Sequence, residues 1–529
     1  MRPATPEASA LPRPGGWRRL AARIPLPSLT VPLLVMALLK LPSLFEPHWY
    51  TDEAGYANTA WLMAHGKVLY LTVWNNKPPL LFWIYQVALG GFGSSSELGL
   101  HLVSGILELF ALGGMWVLAR GSLGGRRTWV AMLLGALLLG TPLLNGDLAL
   151  PESLLIGFTV WAMVAVVAAL RAPGRWRALL LAGCAGLLLG LACLIQQTAV
   201  ADAFVALLIL LLGRRGWELA GTTFGVLVVV IAAAMAPFVA AAGAHNVFFF
   251  LVTSYAGYTS GTLHPSLGSV APRAVAFLLV LGGAWWARRW SPERLLVWVW
   301  LGVVLLAYII PNRPYMHFLL PAAPAAALLL ARLKLPELRR RPVAAGLRPL
   351  PLLAATLLVS GMWAAVLASG LSGGSLFTVK LTAQYYPAFV GRYTGAISPV
   401  TYVSLYDQRA VAEHQAVAWV RENGLGGQTA VVWSPDSWAY LLGDLKPILP
   451  VPPIYMDQLW LGTTTLLDRV KADRPVVIIL TSDSYNQYGP IEPVLRADYT
   501  EVQSLDQGQV WIRSDVAARI LSTKPASRG

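Results

Sequence analysis

Long apolar runs broken by short charged turns dominate the chain. Runs at roughly 28–45, 98–119, 128–145, 152–170, 177–195, 198–213, 218–242, 271–287, 294–311, 316–332 and 350–370 approach the ~20 residues that cross a hydrocarbon core. The turns between them alternate in charge. One set holds Arg120, Arg126 and Arg127, then Arg171, Arg175 and Arg177, then Arg214 and Arg215, then Arg288, Arg289 and Arg294, and finally the 332–348 segment with Arg339, Arg340 and Arg341. The other set, at 46–97, 145–152, 195–198, 243–270 and 311–316, is poor in Lys and Arg. Basic residues collect in cytoplasmic loops, so the first set and the N-terminal arginines (Arg2, Arg13, Arg18, Arg19, Arg23) face the cytoplasm and the second set faces outward. The pattern predicts a polytopic α-helical membrane protein of about eleven transmembrane helices. Residues 1–27 form its basic cytoplasmic N-terminus and residues 28–370 its membrane domain.

Two segments need more than periodicity. The 79–93 run, PLLFWIYQVALGGFG, is apolar but short, and a full span there would put every later basic turn on the wrong side. It is read as an interfacial or re-entrant helix inside one long external loop, 46–97, whose amphipathic helices lie at the surface. The first apolar run follows arginines, as in a signal peptide, but FEPHWYTDE after it lacks small-residue cleavage chemistry, so it is read as a retained span. Beyond residue 371 the acidic residues gather and the periodicity changes. Residues 408–422 are helical and end at Asn423-Gly424, 464–472 form a further helix, and 429–433, 475–481 and 509–513 read as strands. Residues 371–529 thus predict a small extracytoplasmic α/β domain, with Asp407, Arg409, Asp436 and Asp444 as surface or capping residues.

Composition agrees with a bilayer. The chain is 56% hydrophobic and 12% charged, with a mean hydropathy of +0.59. A soluble protein carries roughly a quarter charged residues. The net charge of +14 is spent on the cytoplasmic turns, which excludes nucleic acid as the reason for it. Cys184 and Cys193 are nine residues apart and point to opposite helix faces, so they form neither a disulfide framework nor a metal site.

Scarce carboxylates on the outer side carry the candidate chemistry. Asp52-Glu53 stands in WYTDEAGYA, where Thr51 or Asp52 can cap a helix starting at Glu53. Asp147 and Glu152 stand in NGDLALPE, where Pro151 opens a helix with Glu152 in its first turn. Each pair alone reads as helix-end chemistry; two pairs on one face point to a site. Cations there are equally scarce: Lys77 in NNKPP, and Arg313 with Tyr315 and His317 in PNRPYMHF, where an arginine runs against the positive-inside rule and suits an anion. Glu108, Asp202 and Gln196-Gln197 lie within or near spans, and Tyr255, Tyr258 and His264 make an aromatic external segment.

DE-x-x-YA, then KPP, then D-x-x-x-x-E at 147–152, then R-x-Y-x-H-F-L-L-P at 313–321, in this order along the spans, resemble the GT-C class of polytopic glycosyltransferases. Within it the likeness is to family 39 and its relatives, the protein O-mannosyltransferases and the lipid A aminoarabinose transferases. The later AWVRENG, VVWSPD and RPVVI segments agree. The resemblance implies a sugar on a polyprenyl phosphate, transferred with inversion to an extracytoplasmic hydroxyl of a polysaccharide, lipid or protein. It implies Asp52 as general base, with Glu53 beside it. Asp147 and Glu152 would orient the base, bind sugar hydroxyls or, with Asp52, ligate a divalent metal ion. Lys77 and Arg313 would stabilise the departing phosphate, with Tyr315 and His317 extending that subsite. The chain departs at Gln196-Gln197, where many relatives carry a cation. A proton-coupled transporter or flippase of lipid-linked sugars, working through Glu108, Asp202 and His317, is the alternative.

Overall fold

The computed structural model describes residues 27–93, 96–254, 267–309, 315–332, 374–450, 453–481 and 491–523. The N-terminal arginines, the expected span at 350–370, Arg313, and Tyr255, Tyr258 and His264 lie outside the described residues.

The apolar runs are helices: α1 (Pro27–Lys40), α2 (Thr51–Ala64), α3 (Pro79–Phe92), α4 (Glu97–Ser122), α5 (Gly125–Gly140), α6 (Pro151–Arg171), α7 (Arg175–Ile195), α8 (Val200–Leu211), α9 (Gly216–Ala242), α10 (Leu267–Trp286), α11 (Pro292–Ile309) and α12 (Ala323–Leu330). Among them α4, α6, α7 and α9 are long and apolar enough to cross a bilayer. Shorter apolar helices include Leu29–Phe45, Gln197–Leu211, Ala274–Trp286 and Met316–Leu330. The 14 residues of α3 rise only about 21 Å, short of a ~30 Å core. Small residues let neighbouring helices approach closely: a Cβ on Gly186 of α7 would come within 2.3 Å of the Thr223 carbonyl of α9.

Lys40, the last residue of α1, reaches into the membrane domain. Its ammonium pairs with Glu108 of α4 and also donates to the Gly146 carbonyl, and both side chains are buried. Removing one partner of such a pair strands the other charge, at a cost of about 3–5 kcal/mol. Lys40→Met is therefore expected to lower the thermal unfolding midpoint of the detergent-solubilised protein, and adding Glu108→Gln should recover part of the loss. An unchanged midpoint for the single variant would show that the pair contributes nothing.

The loop at 46–97 differs from its expected form. Rather than lying amphipathically at the surface, α2 is buried over Glu53–Ala60, because the C-terminal domain covers it. Asn58 of α2 donates to the Ser437 carbonyl at 2.6 Å, and the Trp74 amide donates to the Pro450 carbonyl at 2.9 Å.

After α13 (Gly374–Tyr393), α14 (Pro399–Tyr406) and α15 (Gln408–Glu422) comes a five-stranded sheet in the order β2-β1-β3-β5-β4. Its strands are β1 (Thr429–Trp433), β2 (Lys446–Pro447), β3 (Val477–Thr481), β4 (Tyr499–Leu505) and β5 (Gly508–Arg513). The first three run parallel, and β5 is antiparallel to both β3 and β4. Alternate residues divide the sheet. Val432 and Ile479 join the core that α15 shares with the external loop, whereas Val431 and Ile478 join a separate core containing Leu466 and Val470. α15 has its expected bounds, with Asp407 capping it by accepting from the Arg409 amide at 2.7 Å. β4 carried too weak an alternation to be expected; its burial is intermediate along most of its length.

Candidate active site

The site is assembled where the start of α2, the segment before α3, the start of α6 and the turn after α7 converge. α2 begins at Thr51, two residues before the expected start, with Tyr50 at its N-cap and no side-chain cap bond. The Asp52 carboxylate is thus not a cap. It sits in the first turn, where the helix dipole favours a negative charge. The Thr51 hydroxyl donates instead to Asp436 of the C-terminal domain at 2.6 Å.

Successive helical side chains diverge by about 100°, and this separates Asp52 from Glu53. Half-buried Asp52 lies within electrostatic reach of His317, Lys77 and Glu152, and least of Glu53. Burial holds its carboxyl above the usual aspartate range and the charge of Glu152 adds to this, while His317 and Lys77 pull it back. Lys77 is buried, and the loss of water lowers its ammonium from the usual range against the opposing pull of Glu152 and Asp52. Its backbone is fixed from several sides. Pro78 disfavours helical torsions at Lys77, and Pro79 starts α3. The Tyr70 hydroxyl donates to the Lys77 carbonyl at 2.7 Å, and the Lys77 amide donates to Asn75 Oδ1 at 3.2 Å.

Glu152 is buried in the first turn of α6, as its place after Pro151 implied, and accepts from Gln196 Nε2 at 2.9 Å. Gln197 donates to the Asn76 carbonyl at 2.6 Å. The two glutamines that depart from the cationic pattern therefore hold Glu152 and the Lys77 segment respectively. Their bearing on the site was missed because a polar pair at a helix end has many structural explanations. His317 is buried, stands 3.5 Å from the Tyr50 hydroxyl through Nδ1, and stacks on the Tyr315 ring at 5.5 Å.

A second buried cluster lies on the other side of α2. Glu53 accepts from the Ala149 amide at 2.5 Å and lies 3.2 Å from His101 Nε2, while His101 Nδ1 contacts the Ser43 carbonyl. Asp147 belongs to this cluster, with Lys40, His101 and Glu53 acting on it electrostatically. Burial raises its carboxyl to about 6. Burial, then the Asp147 charge, raises Glu46 to about 8, and Glu46 accepts from Tyr385 and from Trp49 Nε1. Among the sequence candidates, then, the structure brings together Asp52, Lys77, Glu152, His317 and Tyr315, and sets Glu53 and Asp147 in the neighbouring network. Among the described residues no three His, Cys, Asp or Glu side chains are grouped to hold a metal ion. Asp52 and Glu152 belong to one cluster and Asp147 to the other.

Asp436, expected at the surface, is instead buried between domains, with Arg409 at 3.8 Å. Sequence could not show this, because the residue is polar and its partners, Thr51 and Arg409, lie on different domains. The intramembrane acids are also paired: Glu108 with Lys40, and Asp202 with Trp300 Nε1 at 2.7 Å.

A crystal structure of ArnT from Cupriavidus metallidurans bound to undecaprenyl phosphate superposes with a TM-score of 0.56 at 17% identity, covering 94% of this chain and 98% of that one. The chain has the GT-C fold. The apo form of the same ArnT gives 0.54 at 16% identity, covering 94% and 97%. The family described as dolichyl-phosphate-mannose-protein mannosyltransferase matches residues 76–241, a stretch that holds Lys77, Asp147, Glu152 and Gln196 but neither Asp52 nor His317. No curated protein matches the sequence. On this GT-C fold, with four helices among the described residues fit to span a bilayer, the converging polar groups lie in a membrane protein rather than a soluble one.

Proposed function

We propose that the chain is a membrane glycosyltransferase that moves a sugar from a polyprenyl-phosphate donor to an acceptor hydroxyl outside the cytoplasm, with inversion at the anomeric carbon. The observation that supports it most is the convergence of Asp52 with Lys77, Glu152 and His317 on the GT-C fold. Asp52 takes the acceptor proton as the acceptor oxygen bonds to the anomeric carbon. The bond from that carbon to the phosphate oxygen breaks, and the phosphate leaves with the electron pair. Lys77 meets the charge growing on that oxygen in a site poor in water. Glu152, held by Gln196, accepts from a sugar hydroxyl and balances Lys77 in the resting enzyme. Glu53 serves this reading as a positioning residue, since its bonds to Ala149 and His101 anchor the turn that carries Asp52. Arg313 joins the phosphate subsite by its resemblance alone. No step is routed through a metal. The transporter reading loses support: Glu108 and Asp202 are each tied to a local partner rather than strung toward His317.

The test is transfer of labelled sugars from a panel of polyprenyl-phosphate donors by the purified protein in nanodiscs. Product from at least one donor is expected. No product from any donor, together with proton-coupled uptake in liposomes, would overturn the proposal.

The pH profile gives a second check. The base works ionised, and its folded pKa lies above the ordinary aspartate value because of burial. The rate should therefore fall on acidification through a midpoint above that value, and the limb should persist in Asp147→Asn. A limb at or below the ordinary aspartate value would argue against a buried base.

A further inference from the structure

A cavity of about 530 Å³ opens between the membrane and C-terminal domains, in the size range of small-molecule sites. Tyr50, Thr51 and His317 line it, so it lies beside the first turn of α2, which carries Asp52. Its opposite wall comes from the C-terminal domain: Tyr406 at the end of α14, then Asp407, Gln408 and Arg409 at the start of α15.

Two features of that wall limit what it can hold. The first is aromatic. Trp49 stands edge-on to Tyr50 with ring centres 5.0 Å apart and tilts against Tyr406 at 5.5 Å, making an apolar corner from both domains. The second is a balance of charge and of hydrogen-bonding sense. Arg409 bonds Asp407 at 2.6 Å, and Asp436 lies behind it at 3.8 Å. A phosphate-bearing acceptor calls for cations in excess, whereas the described lining sets its arginine against carboxylates. A peptide acceptor calls for a strand edge or groove to satisfy its backbone, and none of the cavity's described lining residues belongs to a strand. A sugar ring presents apolar C–H faces and hydroxyls that both donate and accept. Tyr406, Asp407, Gln408 and Arg409, an aromatic ring, a carboxylate, an amide and a guanidinium within one turn of chain, match that need together with Trp49.

We infer that this cavity is the acceptor subsite and that it takes a neutral, hydroxyl-rich terminal sugar of a glycan. The inference rests on the transferase reading for the word acceptor, but the binding it asserts is measurable without turnover. The C-terminal domain, through Asp407, Gln408 and Arg409, then selects the acceptor, while the membrane domain handles the donor.

The test titrates full-length protein in nanodiscs with neutral manno-, arabino- and galacto-oligosaccharides, a Ser/Thr peptide and a phosphorylated glucosamine, followed by tryptophan fluorescence and saturation-transfer NMR. At least one neutral oligosaccharide is expected to bind saturably. Arg409→Gln should weaken it about tenfold, and Gln408→Ala, at an exposed position that tolerates change, by a smaller factor. Preferential, Arg409-dependent binding of the peptide or the phosphorylated sugar would overturn the inference, as would glycan binding indifferent to both variants. Glycan binding without transfer from any donor would support the subsite and sink the transferase reading. Transfer to a non-glycan acceptor, with no glycan binding, would do the reverse.

Discussion

Asp52→Asn is expected to lower the transfer rate by about 10²–10⁴-fold, the usual worth of a positioned general base. The change is close to isosteric and keeps a polar group in the first turn of α2, so the helix start and the Thr51–Asp436 bond to the C-terminal domain should survive. What disappears is the carboxylate assigned to take the acceptor proton. Because Asp52 is held in a buried setting that disfavours its charge, neutralising it should not destabilise the fold. Steady-state kinetics should therefore show loss in kcat with little movement in KM, and an unchanged unfolding midpoint. A variant that keeps its kcat would remove Asp52 as base, whatever the fold.

Lys77→Met is expected to cost about 10²–10³-fold in kcat, by analogy with removing one preorganised donor from a developing oxyanion. Methionine keeps the apolar stem, and Pro78, Pro79, Tyr70 and Asn75 keep the backbone in place, so the defect should be electrostatic rather than structural. A second readout separates this from misfolding. Lys77 pulls the Asp52 carboxyl downward, so its loss should move the acid limb of the residual activity to higher pH. Lys77→Arg should restore little, since a planar fork does not replace a compact ammonium in a buried space. Full activity in Lys77→Met, or loss without the shift of the limb, would sink the assigned role.

Much of the site was legible one residue at a time. KPP announces a lysine held out of a helix, and Pro151-Glu152 announces a carboxylate in a first turn; both are local backbone chemistry and both appear where expected. The pairing of Asp52 with Glu53 was misleading for an equally local reason. Neighbours in sequence look like one acidic site, yet a helix turns them apart, sending Glu53 to His101 and Ala149 while Asp52 keeps Lys77 and Glu152. Asp147 goes with Glu53 rather than with Glu152, although the same short motif carries both. The part played by Gln196 could be found only after α7 was packed beside α6, because nothing in the spacing of 44 residues between it and Glu152 foretells a hydrogen bond.

By itself the sequence determined the apolar runs, the short α3, the bounds of α15 and the residue types available for chemistry. All of these follow from periodicity, charge alternation and capping, whose range is a few residues. Only the tertiary structure decided which carboxylate meets which cation, that Asp436 is buried against Thr51, and that the C-terminal domain closes a cavity over the start of α2. Those contacts join segments far apart in the chain, 68 residues for Lys40 with Glu108 and 385 for Thr51 with Asp436. Burial and helix packing select them, since a charge removed from water must find its partner wherever the fold brings one.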